Sequence, residues 1–137
     1  MSRASIDIGS NSVLLIVAEL DEKSNVKELA NESRVTALGR GLSNSGVFSQ
    51  ESMKETYLVL KEYVELSKEL GIESRKIVVT ATEASRVASN ADEFFQRIIN
   101  KLDIEIKIIS GQGEAYYTAL GVCLLYTSDA ADEEDSV

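Results

Sequence analysis

The sequence holds no histidine, no proline and no tryptophan, and a single cysteine, Cys123. One thiol cannot close a disulfide within the chain. Without an imidazole, and with that one thiol, a zinc site of the usual kind is excluded. A magnesium ion held by carboxylate oxygen stays open. No run of about 18 apolar residues occurs, so no membrane-spanning helix is expected. Met1 to Ala4 leads directly into a strand-like stretch and does not read as a signal peptide. There is no internal repeat, no Walker A pattern and no GxGxxG. Together these absences fit a cytoplasmic protein. The lack of proline decides nothing by itself.

What is present is an ordinary globular composition. The 137 residues are 44% hydrophobic, too apolar for a disordered chain and enough for one domain or a piece of a larger one. The net charge of -9 argues against general nucleic-acid binding. That charge is uneven. Residues 123–137 carry five acids and no base, which leaves residues 1–122 at a net of -4.

Hydrophobic patterning gives an alternating order of elements. Residues 4–8 and 13–20 read as strands around a small polar turn, and 26–38 as a third strand in an antiparallel meander. Residues 39–46 (GRGLSNSG) read as a loop. Ser49 is placed to cap a long helix whose apolar face is Met53, Tyr57, Leu60 and Val64, with Gly71 as its stop. Residues 76–82 (KIVVTAT) read as a buried strand. Asn90 and Glu93 resemble a capping box ahead of a helix with Phe94, Phe95, Ile98, Ile99 and Leu102 on one face. Residues 104–109 alternate as a strand, and 110–122 open a final helix. The expected fold is α/β, with a mixed sheet of about five strands and three main helices.

Three stretches carry groups suited to chemistry, and each has a plain alternative. In "IDIGSNSVLLIVAEL" (6–20), Asp7 stands between two isoleucines and is followed by Gly9, Ser10, Asn11 and Ser12. Glycine permits close backbone approach, and small polar side chains with adjacent N–H groups suit phosphate oxygens. Asp7 at a strand end suits Mg²⁺. The alternative is a hairpin turn with solvated polar residues. In "ATEASRVASN" (81–90), Arg86 lies just past a strand end, where α/β folds place ligand contacts. It reads either as a bidentate phosphate clamp or as a surface arginine. In "SGQGEA" (110–115), Glu114 reads either as a general base or as an acid favoured by a helix dipole. All three stretches follow strand ends and carry groups that suit phosphate hydrolysis.

Four segments, "IDIGSNSVLLIVAEL", "ALGRGL", "VVTATEASRVASNADEF" and "IKIISGQGEAYYTALGV", resemble in order and spacing the exopolyphosphatase / guanosine pentaphosphate phosphatase (Ppx/GppA) family over residues 4–122. The resemblance implies a ribonuclease-H-like half of an actin-like ATPase superfamily protein. It implies Asp7 at a Mg²⁺ ion and Gly9, Ser10, Asn11 and Ser12 as the first phosphate loop. Arg86 would contact phosphate, and Glu114 would be the catalytic base that orients water. The implied substrate is polyphosphate or guanosine pentaphosphate, and the full-length protein would be a homodimer. The family usually reads Ser-Gly-x-Glu-Glu-Ala-Arg at the last motif. Here Gly113 replaces the first Glu and Tyr116 stands where Arg is common, which leaves substrate preference open. Two other readings compete: a sugar or acetate kinase of the same superfamily, and a non-catalytic phosphate- or nucleotide-binding regulator.

The tail "CLLYTSDAADEEDSV" (123–137) does not fit the family. The family pattern continues to a second phosphate loop, typically Asp-x-Gly-Gly-Gly-Ser. Residues 123–133 instead resemble a transposase-type sequencing adapter translated in frame. The expectation is an N-terminal phosphatase subdomain at 1–122, followed by a non-native acidic tail at 123–137. The rival is a genuine acidic tail that docks a basic partner.

Overall fold

In a computed structural model, residues 2–23, 25–82 and 87–109 are described. The chain forms β1 (Ser2–Ile8), β2 (Ser12–Leu20) and β3 (Val26–Val35). A one-turn helix α1 (Leu42–Ser45) and the long helix α2 (Gln50–Glu69) follow. A 3₁₀ turn (Ser74–Lys76) leads into β4 (Val78–Thr82), α3 (Ala91–Leu102) and β5 (Ile106–Ile109). The five strands make one sheet in the order β3-β2-β1-β4-β5. β1, β2 and β3 pair antiparallel, whereas β1, β4 and β5 run parallel. This is the expected α/β ribonuclease-H-like arrangement. The helix expected over 110–122 lies outside the described residues.

Period-two alternation decides which residues meet. Register pairs Ile6 with Leu15 and Val79, and Ile8 with Val13 and Ala81. These side chains share one sheet face and are at most 2% exposed. They pack with Val59, Leu60 and Val64 of α2 and with Phe94, Phe95 and Ile98 of α3 in one core. Fully burying an aliphatic side chain of this size stabilises by roughly 1.5–3 kcal/mol. The same alternation sends Ser5, Asp7 and Thr80 to the opposite face.

The helix ends follow the expected chemistry in part. The Ser49 side chain accepts the Ser52 N–H at 3.1 Å, a true N-cap. At the other end Gly71 adopts a left-handed φ of 91°. The Gly71 and Ile72 amides there donate to the carbonyls of Lys68 and Ser67, both at 2.9 Å, which closes a Schellman motif.

The capping box at Asn90 is not formed: its side chain makes no cap bond to α3. Its Oδ1 instead accepts the Phe48 N–H at 2.9 Å, and its Nδ2 donates to the Phe48 carbonyl at 3.1 Å. A tertiary partner has taken the amide that the local pattern reserved for the cap. The third strand is shorter than read. It stops at Val35, because Ala37 turns into left-handed backbone (φ 51°) and carries the chain under the β1–β2 turn. The stretch read as a 39–46 loop contains α1, bracketed by Gly41 and Gly46, both left-handed. No helix among the described residues is long and apolar enough to cross a membrane.

Candidate active site

The turn between β1 and β2 is short and tied from both sides. Ile8 pairs with Val13, so residues 9–12 must reverse the chain at once. The Gly9 amide donates to the Ser12 carbonyl at 2.9 Å. A Cβ on Gly9 would stand 3.0 Å from that oxygen, so a side chain there crowds the turn. The segment after β3 then anchors it. Thr36 and Ala37 amides both donate to the Asn11 carbonyl, at 3.0 and 2.9 Å, and the Gly39 amide donates to the Ser10 carbonyl at 2.7 Å.

The carbonyls of Ser10, Asn11 and Ser12 are thus consumed, while the amides of Ser10 and Asn11 are not. Among the described residues, the N–H groups of Ser10 and Asn11 and the side chains of Ser10, Asn11 and Ser12 make no hydrogen bond. Ser10 and Asn11 are exposed. Free amides on a backbone held rigid by its own carbonyls are groups that suit the oxygens of an anion. A plain solvated hairpin would not need four backbone bonds from two segments to hold it.

Asp7 stands two residues before Gly9, on the sheet face opposite the helices. It pairs in register with Thr80 across the parallel β1–β4 ladder. The Thr80 hydroxyl donates to Asp7 Oδ1 at 3.3 Å. Burial pushes the Asp7 carboxyl above its usual range, and the Thr80 bond offsets this in part. Among the described residues no base forms an ion pair with it. A half-buried carboxylate without a cationic side chain is suited to a hard metal ion. No cluster of three or more potential metal-binding side chains occurs among the described residues. The Asp7 carboxylate is a donor of the kind that Mg²⁺ accepts, since that ion keeps most of its water and takes one or two carboxylates plus phosphate oxygens.

The structure brings Asp7, Gly9, Ser10, Asn11 and Ser12 together at the C-terminal end of β1, the central strand of the sheet. Arg86 and Glu114 lie outside the described residues. Two contributors carried no role in the sequence reading. Thr80 orients Asp7; its signal was a hydroxyl in the middle of the buried strand KIVVTAT. Gly39 packs on Ser10; a Cβ there would meet Ser10 Cβ at 2.9 Å. Its signal was the ALGRGL segment, which held a quoted motif without an assigned task.

Comparison with known proteins follows the same direction. A model of the Ppx/GppA phosphatase family matches residues 16–132, beginning within β2 and ending within the acidic tail. A bifunctional 3-dehydroquinate synthase/phosphatase of Fusobacterium nucleatum is 33% identical over 134 residues, covering 95% of this chain and 20% of the relative. The crystal structure of the Aquifex aeolicus member of the Ppx/GppA protein family superposes with a TM-score of 0.78 at 36% identity, covering 89% of this chain and 39% of that one. An exopolyphosphatase from Cytophaga hutchinsonii superposes with a TM-score of 0.72 at 26% identity, covering 81% and 35%. The chain thus spans a fifth of the curated relative and less than two fifths of these solved proteins.

Proposed function

The chain belongs to the Ppx/GppA phosphatase family, and from that premise we propose that it forms the first phosphate-binding half of a hydrolase acting on the terminal phosphate of a phosphate chain. The observation that carries the reading is the Gly9–Ser12 turn. The carbonyls of Ser10, Asn11 and Ser12 are locked, while among the described residues the Ser10 and Asn11 amides stay free, just past a carboxylate held by Thr80. The exopolyphosphatase name of a structural relative favours inorganic polyphosphate as substrate. Guanosine pentaphosphate is the second candidate.

In the proposed reaction the free amides of Ser10 and Asn11 bind oxygens of the terminal phosphate. Asp7 would hold Mg²⁺. When bound, that ion neutralises phosphate charge and fixes the phosphate's orientation. Arg86 clamps a phosphate oxygen. Glu114 takes a proton from the attacking water as the new P–O bond forms. The bridging P–O bond breaks, and the shortened chain leaves with its oxygen anionic or protonated from solvent. Such transfers rely on positioning and charge stabilisation from several sides. We propose accordingly that the 137-residue chain turns over little by itself, and that the intact protein acts as a homodimer. The acidic tail from Cys123 we propose to be non-native; the coding DNA across residues 118–137 tests this.

The test of the function is Glu114→Gln in the intact protein. Loss of a general base lowers phosphate release by about 100-fold or more, with substrate binding retained. Unchanged hydrolysis would overturn the assignment of Glu114 as the base, and substrate binding with no hydrolysis by the intact wild type would favour a binding protein.

A further inference from the structure

A groove of about 200 Å³ opens between α2 and α3. Its floor is closed: Met53 and Phe94 are at most 5% exposed. Its rim carries Lys54 on α2 and Arg97 and Lys101 on α3, and no carboxylate lines it. Lys54 and Arg97 enter no ion pair among the described residues. The Lys101 ammonium lies 5.5 Å from the centre of the Tyr57 ring, which fixes it over the groove. Glu51 and Glu55 on α2 and Asp92 and Glu93 on α3 make no ion pair with the three cations. Residues 1–122 carry a net charge of -4, so three convergent, unneutralised cations are not what composition alone would place there. Like charges held together favour an anion between them.

The groove's shape and place narrow the ligand. It is smaller than the roughly 300–1,000 Å³ of a typical cofactor pocket. With its floor closed, an apolar ligand gains little area, and recognition falls to charge. Its Gln50–Phe94 end belongs to the first turns of two helices that start on the side of the sheet where β1 ends and the Gly9–Ser12 turn lies. Ser52 donates through Oγ to the Ala37 carbonyl at 2.9 Å, and the Ala37 amide donates to the Asn11 carbonyl at 2.9 Å. Asn90, ahead of α3, is bound to Phe48 just before α2.

We infer that the α2–α3 groove is a docking track for the inorganic polyphosphate chain behind its terminal unit, held by Lys54, Arg97 and Lys101. The inference rests on the phosphatase reading and names where the remainder of the substrate lies. A linear run of phosphates needs spaced cations and no shaped pocket.

Calorimetric titration of the 137-residue chain with medium-length polyphosphate tests this. Three forms are compared: wild type, a Lys54→Gln/Arg97→Gln/Lys101→Gln variant, and a control with Lys27→Gln/Lys68→Gln/Lys76→Gln. All six side chains are on the surface of the described fold, and circular dichroism checks that each variant is folded. The groove variant is expected to bind about tenfold more weakly, as three exposed charge contacts are lost, with a shallower salt dependence. The control is expected to change no more than about twofold. Equal weakening of both variants would overturn the docking track and leave only diffuse attraction. No binding by the wild type would overturn it as well. The phosphatase reading is judged separately, by the Ser10 and Asn11 amide resonances on addition of inorganic phosphate with Mg²⁺; these report the turn whatever the groove does.

Discussion

Gly39 and Ser10 touch backbone to backbone: the Gly39 amide donates to the Ser10 carbonyl at 2.7 Å, and a Cβ on Gly39 would lie 2.9 Å from Ser10 Cβ. The contact joins two segments that are far apart in sequence and makes the ALGRGL stretch a support for the Gly9–Ser12 turn. Gly39→Ala must push the turn away. Overpacking of this kind costs typically 1–3 kcal/mol. The expected outcome is a chain that keeps its helix content by circular dichroism, unfolds earlier in urea and loses phosphate-dependent shifts at Ser10 and Asn11. Unaltered stability together with unaltered shifts would show that the turn does not depend on this contact.

Asp7 gives a pH dependence of fixed sign. Its folded carboxyl titrates above the usual 3.8 because burial disfavours the charge, with the Thr80 bond opposing. Between those two values the folded chain holds more protons than the unfolded one, so stability falls as pH rises. The contribution is complete below the unfolded value and is lost as pH rises through the folded value. At neutral pH without metal, Asp7→Asn should therefore raise the melting temperature and flatten this part of the profile. Added Mg²⁺ should stabilise the wild type and not the variant. A lowered melting temperature for the variant across the whole range would contradict the assigned cause.

Asn90 joins α3 to the segment before α2, through two hydrogen bonds to Phe48. Phe48 in turn meets Phe94 and Phe95 edge-on, at 6.0 and 6.2 Å between ring centres. Asn90→Ala leaves a buried backbone N–H and carbonyl unpaired, at a cost of about 1–3 kcal/mol each. Denaturant unfolding should show a loss in this range. Asn90→Asp should recover only part, since it keeps the acceptor for the Phe48 amide and lacks the donor for its carbonyl. Full recovery would mean that Asn90 acts as an ordinary N-cap after all.

Much of the fold was legible because local pattern and tertiary packing agree. Ile6, Ile8, Val13 and Leu15 alternate as the sheet requires, and Ser49 and Gly71 mark the ends of α2 as their chemistry predicts. The less legible parts are those where a distant partner decides. β3 has little burial on either face, so its pattern could not show that it ends at Val35 or that residues 36–39 turn back under Ser10. Asn90 had the local signature of a cap and was taken by Phe48. At the site, Asp7 and the Gly9–Ser12 turn were visible as residue types. The free amides were not, because they depend on bonds that the turn's carbonyls make to residues about 25 positions away along the chain.

The most direct measurement follows the Ser10 and Asn11 backbone amides by nuclear magnetic resonance while inorganic phosphate and Mg²⁺ are added. The account predicts that these two resonances move most, together with Gly9 and Ser12, and that the shifts vanish in Asp7→Asn. Amides that stay in place while phosphate binds elsewhere, or shifts that persist unchanged without Mg²⁺ and in Asp7→Asn, would contradict it.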